Sequence, residues 1–490
     1  MGFFALFTMS SFESIRVWLR PAVYLSRNTL TLTGAVLTSS SALTLIAFWI
    51  FNIVMARTVD PYLGIIFFLI LPGIFVIGLV LMPIGAILER RRLILAGELP
   101  LAYPKVDFAE AALRRAFAWT AGLTMVNVII FTAASYEGVT YMDTPQFCGQ
   151  TCHTVMQPEF TAYTSSPHQR VECVGCHIGP GAGWFVRSKL SGVRQVFAVT
   201  FHTYHRPTPS PVEHLRPARE TCEQCHWPQK FTGNRLDLVR KFTDDEKNTE
   251  LTTVLLLKIG GRTWNGAVGI HGRHLDTNYP IEYIATDRQR QTIAQVSYKD
   301  STGKGTVFTN TDTKPTAEQL AAGEHRIMDC IDCHNRPTHT FQLPDRAVDL
   351  AMAQGRISAE LPFIKKKAVE ALKVNYPDRD AASQGIAAAL EDFYRTSYPD
   401  LHREKHALVE TAILEVQALY SRNVFPAMKV TWGTYPNNLG HTDFPGCFRC
   451  HDGSHTTADG RTIPNDCDTC HSLLAMEEQN PKVLTELGLK

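Results

Sequence analysis

The cysteines constrain this chain more than any other feature. There are twelve in 490 residues, and they form six close pairs, each followed at once by a histidine. The groups are Cys148, Cys152 and His153; Cys173, Cys176 and His177; Cys222, Cys225 and His226; Cys330, Cys333 and His334; Cys447, Cys450 and His451; and Cys467, Cys470 and His471. Five read C-x-x-C-H, and the first carries one extra residue. Histidine is only 18 of 490 residues, so its recurrence after every pair is not a composition effect. The spacing suits one chemistry: two thiols form thioethers to one porphyrin, and the next side chain lies under the ring and offers a nitrogen to the iron. Zinc sites also use C-x-x-C pairs, but they do not need a histidine beside each second cysteine. A two-residue disulfide loop is a poor staple, and no cysteine remains outside the motifs. Six c-type haems are therefore expected, with these six histidines as proximal ligands.

Twelve histidines remain. A six-coordinate iron needs a second axial ligand, and the candidates are His168, His205 or His214, His271 or His274, His339, His441 and His455. His339 and His455 follow their own motif histidines by five and four residues. So short a connection cannot reach the far face of the same ring, so each is expected to serve a neighbouring haem. Near the first motif, Met156 is a further axial candidate, since methionine also ligates iron; the alternative is that it packs on the ring as a core residue.

The rest of the chain divides into unlike parts. Runs 28–56, 61–88 and 116–136 carry no charge, and each has the roughly 20 residues that a helix needs to cross a bilayer. Arg16, Arg20 and Arg27 precede the first run, and Arg90, Arg91, Arg92, Lys105, Arg114 and Arg115 lie between the second and third. The positive-inside rule puts both groups in the cytoplasm and everything after Tyr136 on the other side, where c-type haem is attached. The first 27 residues lack a basic n-region and a cleavage site, so they are expected to stay cytoplasmic or interfacial, with Phe3, Phe4, Phe7, Phe12 and Trp18 on the bilayer surface. Lysine plus arginine (48) balances aspartate plus glutamate (47), which leaves no electrostatic footprint for nucleic acid.

The expected fold is a membrane-anchored multihaem cytochrome c: three N-terminal transmembrane helices over 28–136, then a mostly α-helical and irregular haem domain with a β-rich insert. Residues 142–235 hold haems one to three, 236–325 read as the insert, and 326–345 carry haem four. A helical spacer, broken at Pro362, Pro377 and Pro399, fills 346–425, and 426–490 carry haems five and six. Residues 184–199 read as an amphipathic helix, and 206–217 as a Pro-rich extended connector.

The stretch FCGQTCHTVMQPEFTAYTSSPHQRVECVGCH, followed by KLSGVRQ and RETCEQCH, resembles the haem core of NapC/NirT-type membrane quinol dehydrogenases, over about 142–227 with the fourth motif as its fourth haem. With its extra spans and haems the whole chain looks more like the larger inner-membrane members found in metal-reducing bacteria. The resemblance implies oxidation of menaquinol or ubiquinol at the outer face of the bacterial inner membrane. Electrons would pass to periplasmic cytochromes, reductase subunits or other subunits of a membrane complex. Asp143, five residues before Cys148, and Glu159, three after Met156, are the candidate proton acceptors. The resemblance places Lys189 near the same pocket. Two other readings stand beside this one: a terminal multihaem reductase of a small oxyanion, and a passive electron-transfer subunit of a larger respiratory complex.

Overall fold

The computed structural model describes residues 20–55, 70–104, 109–150, 153–179, 182–212, 215–228, 231–261, 268–300 and 302–489. Phe3, Phe4, Phe7, Phe12, Trp18, Lys105, Cys152 and His214 lie outside them, as do residues 61–69 of the second uncharged run and the side chains of His153 and Lys189. The chain divides into two units, residues 1–144 with 180–191, and residues 145–179 with 192–490. The expected continuous block 142–235 is therefore interrupted at 180–191.

The first unit is helical. Helix α1 spans Thr29–Met55, α2 spans Leu71–Ala96 and α3 spans Ala111–Asp143. Helices α1 and α2 approach closely because small residues line the seam: a Cβ on Gly34 would meet the Gly78 carbonyl oxygen at 2.8 Å. Polar side chains bridge the helices, with Asn28 Nδ2 donating to the Gly85 carbonyl (3.2 Å) and the Ser39 and Thr124 hydroxyls 2.7 Å apart. The outward face of α2 exposes Val76, Ile77, Val80, Ile84, Ile87 and Leu88, a surface suited to lipid. Among the described residues, two helices are long and apolar enough to cross a membrane, over Thr29–Phe48 and Leu71–Ala96. The third expected span falls in α3, which is longer and less apolar overall; its uncharged 116–136 section exposes Phe117, Trp119, Ile129 and Ile130.

In the second unit, helix α4 spans His153–Thr164. The strands are β1 (Arg235–Phe242), β2 (Glu250–Leu257), β3 (Ile281–Ala285), β4 (Ile293–Lys299), β5 (Gly305–Asn310), β6 (Glu324–Ile327), β7 (His455–Thr456) and β8 (His471–Glu478). They make two antiparallel sheets of order β1-β2-β8 and β6-β3-β4-β5-β7. Asp300 closes the β4–β5 hairpin, its carboxylate accepting from the Thr302 and Lys304 amides. The expected insert over 236–325 is thus not self-contained: each sheet takes a strand from the last 40 residues. The physical reason lies in β2. It is buried on one face at Thr252 and Val254, and one neighbouring strand, β1, cannot cover it alone; Ala475 of β8 and Leu484 complete that cluster.

Between the sheets in sequence lies a helical layer: α5 (Pro344–Ala353), α6 (Ile364–Lys373), α7 (Arg379–Ser397), α8 (Pro399–Glu404) and α9 (His406–Asn423). Its breaks fall at the prolines, because proline cannot continue a preceding helix but is tolerated in a first turn; Pro399 opens α8. The apolar stripes of these helices meet in one core, with Val348, Leu361, Leu372, Ile386, Leu390, Tyr394 and Leu419 almost fully buried and Phe242 of β1 packed among them.

One buried ion pair ties β1 to this layer. Asp349 accepts the Phe242 amide (3.0 Å) and the Lys365 ammonium (2.6 Å), and the lysine also donates to the Asp345 carbonyl. Asp349→Ala leaves that ammonium buried and without its counter-ion, an expected loss of about 3–5 kcal/mol read as a lower midpoint in chemical denaturation. A midpoint within the error of the parent would contradict the assignment.

Candidate haem-binding site

Elements of both sheets converge on the cysteine motifs. The first residue of β8 is His471, in register with Leu257 at the end of β2. Just beyond, the Lys258 amide donates to the Cys470 carbonyl (2.9 Å), and the Lys258 carbonyl accepts the Ile270 amide (2.8 Å). The short helix Ile270–His274 is thereby fastened to the same strand end as the sixth motif. Gly269 must be glycine for this approach, since a Cβ there would lie 2.8 Å from the Gly260 nitrogen.

Five motif histidines face a second imidazole. His177 pairs with His339 (ring centroids 6.2 Å apart), His226 with His168 (6.0 Å), His334 with His271 (6.3 Å), His451 with His274 (5.9 Å) and His471 with His441 (6.1 Å). Two imidazoles on opposite sides of one metal, each nitrogen about 2 Å from it, set their ring centroids about 6 Å apart. The donor pairs therefore fit an iron held between them, with a thioether-forming cysteine pair beside each. His271 and His274, three residues apart on one turn, face two different motifs.

The ring nitrogens are also oriented. His339 Nδ1 bonds the Glu159 carbonyl (2.9 Å), His271 Nδ1 the Ile259 carbonyl (2.6 Å), His274 Nδ1 the Ile270 carbonyl (2.8 Å) and His451 Nδ1 the Pro464 carbonyl (2.6 Å). His168 Nδ1 makes a longer contact to Pro337 (3.4 Å). Committing Nδ1–H to an acceptor leaves Nε2 with its lone pair, the form a metal requires. Burial holds His177, His274, His334, His339 and His471 below the ordinary histidine range, which keeps them neutral. The last pair is built differently: among the described residues the buried Nδ1 of His471 has no hydrogen-bond partner, and His441 stacks on Phe448 at 4.2 Å.

The thiols, as they stand before haem is attached, show how the motifs follow one another. A hydrogen bond with Cys148 pulls the Cys173 thiol down to about 7. Burial, then the nearby Cys173 and Cys225, push Cys176 up. Cys222 and Cys330 share a hydrogen bond that raises the first and lowers the second. Burial and then Cys447 push Cys333 up to about 12, and burial and then Cys447 raise Cys470. Motifs one to six are thus neighbours in sequence order.

Other expected residues fall elsewhere. Among the described side chains His455 faces no motif histidine: it is fully buried, with Nδ1 on Asp452 (2.9 Å) and Nε2 on the Ile293 carbonyl (3.0 Å), so both nitrogens are engaged within the protein. It caps β7 onto the second sheet instead. Glu159 is not an open proton acceptor either. Both its oxygens take Arg336 Nη2 (3.0 and 2.9 Å), and its backbone orients His339. Sequence reasoning missed Arg336, two residues after His334, whose guanidinium also lies 4.1 Å from the Tyr435 ring centroid. Asp332, inside the fourth motif, is a second such residue, buried and bonded by the Tyr283 hydroxyl (2.6 Å) and Arg326 (3.1 Å). Met156 is half-buried on α4, His205 is exposed, and Asp143 ends α3.

Paired imidazoles over covalent attachment motifs, in a chain with helices apolar enough to cross a lipid bilayer, define a membrane-anchored multihaem cytochrome c. Residues 112–218 match the model of the NapC/NirT cytochrome c family, N-terminal region. Over 423 residues, 86% of this chain and 83% of the relative, the sequence is 44% identical to cytochrome c-type protein ImcH of Geobacter sulfurreducens. No solved structure matches. The chain belongs to the NapC/NirT cytochrome c family and is an electron-transport protein with covalently bound haem.

Two outcomes follow from this geometry. His271→Ala removes the imidazole facing His334, so one haem is expected to turn from low-spin to high-spin in electron paramagnetic resonance, with total covalent haem unchanged. Glu159→Ala strands the buried Arg336 guanidinium and loosens His339; a stability loss of about 3 kcal/mol is expected in denaturant titration, together with a shifted potential at one haem.

Proposed function

We propose that this protein is a hexahaem quinol dehydrogenase of the bacterial inner membrane. Three helices cross the bilayer, the N-terminus and the 89–115 loop are cytoplasmic, and the haem-bearing portion lies in the periplasm. The observation that carries the proposal is the continuous order of the motifs. Six attachment sites neighbour one another from the first, five residues after Asp143, to the last, at the C-terminal strand.

Haem bound at each motif supplies a one-electron carrier. The residues that would hold each iron are the facing histidines, His177 with His339, His226 with His168, His334 with His271, His451 with His274 and His471 with His441. At the first motif, His153 is the proximal ligand and Met156, His205 or His214 the distal one. Quinol, menaquinol or ubiquinol, is oxidised at this end of the chain. Each quinol gives up two electrons, one at a time, and two protons; Asp143 accepts the hydroxyl protons in turn and releases both to the periplasm, and Lys189 helps hold the quinol. Electrons leave from the sixth motif to a periplasmic cytochrome, a reductase subunit or another subunit of a membrane complex. A terminal oxyanion reductase would need an open iron position, and the imidazoles on both faces of five sites weigh against one there.

Anaerobic mixing of the purified protein with menaquinol, followed at the haem α-band, tests the proposal. Rapid reduction of the haems is expected, slowed in Asp143→Asn, with dithionite reduction the same in both proteins. No reduction by quinol would favour a passive subunit, and unchanged quinol kinetics in the variant would remove Asp143 from proton transfer.

A further inference from the structure

The helical layer holds a cluster that neither the haem sites nor the quinol end uses. Glu391 on α7, His402 on α8 and His406 at the start of α9 place one ligand atom each within 4.8 Å of one another. His402 Nε2 lies 2.7 Å from Glu391 Oε1, and His406 Nε2 lies 3.7 Å from the same oxygen. Two donors on one tetrahedral zinc, each about 2.0–2.1 Å from it, sit about 3.3 Å apart. The two separations straddle that value, so for a metal to be held the first must widen and the second must close. The rings stand edge to face, with centroids 4.9 Å apart. They converge on the carboxylate instead of stacking away from it.

The surroundings also suit a metal. His406 Nδ1 faces Glu410 Oε1 at 3.6 Å, one turn further along α9, so this imidazole has a carboxylate on the side away from Glu391. A carboxylate behind a ligating histidine fixes its tautomer and raises its basicity. The His402 side chain is 17% exposed and that of His406 46%, which leaves an open path for an ion to enter.

We propose that Glu391, His402 and His406 form a binding site for a divalent transition metal of the zinc class, with water in the fourth position and Glu410 supporting His406. Binding displaces the proton that His402 shares with Glu391 and joins α7, α8 and α9 through one ion. Because the three residues come from three helices, the metal binds the folded layer and not the unfolded chain. Zinc at a hundred times its dissociation constant then raises the folded-to-unfolded ratio about a hundredfold.

The test uses the full haem-loaded protein in detergent, dialysed against micromolar zinc chloride, with zinc and iron counted by mass spectrometry. One zinc per chain is expected, with two imidazoles in its zinc-edge X-ray absorption spectrum. His406→Ala and, independently, Glu391→Gln should each weaken zinc binding at least about tenfold while iron content and the visible spectrum stay as in the parent. Either variant that keeps its haem spectrum suffices for the comparison. A parent that retains no zinc after dialysis, or zinc held equally by both variants, would overturn the site and leave the cluster as a hydrogen-bonded ion pair.

Discussion

Everything in the second unit depends on how an imidazole is aimed. A histidine can bind iron only through a nitrogen that carries a lone pair and points at the metal, and a free side chain in water satisfies neither condition for long. Here the aiming is done from behind. Backbone carbonyls at Glu159, Ile259, Ile270 and Pro464 hold Nδ1 of four rings, and burial keeps five of the ten paired rings neutral. A carbonyl is a fixed acceptor because its position belongs to the fold. The rigidity of sheet and helix is thus handed directly to the ligand.

This requirement explains an architecture that would otherwise look wasteful. A protein with so many large prosthetic groups has little apolar side chain to spare near them, and the described side-chain core sits mainly in the helical layer, away from the motifs in sequence. The two sheets act as brackets. The end of β2 fastens both the sixth motif and the turn carrying His271 and His274. The second sheet anchors the fourth motif through Asp332 and the fifth through β7, where His455 serves as a buried structural pin. The ion pair of Asp349 and Lys365 then joins the bracket to the helical core.

The covalent chemistry was legible in the sequence because it is local: two thiols and an imidazole must lie within five or six consecutive residues. Two of the uncharged runs and the proline-delimited helices were legible for the same reason, since an apolar helix or a helix break is decided by its own residues. Pairing across the chain was not. His168, His271, His274, His339 and His441 were among the candidates by proximity to motifs, yet so was His455, and nothing in the sequence separates a ring that stands opposite a motif histidine from one whose nitrogens face Asp452 and Ile293. Glu159 illustrates the same limit. Its position near the first motif suggested a proton acceptor, while its partner Arg336 lies far along the chain and becomes visible only when the fold brings them together. The return of β7 and β8 to the two sheets was hidden likewise, because a short edge strand carries almost no periodic signal.

The crossing of partners has a bearing on how such a protein is made. His177 belongs to the second motif, whereas the ring facing it, His339, follows the fourth. A polypeptide made from its N-terminus presents the second motif long before that ring arrives. The facing imidazoles therefore come together only once the later segments have folded back over the earlier motifs, as a collective event near the end of synthesis.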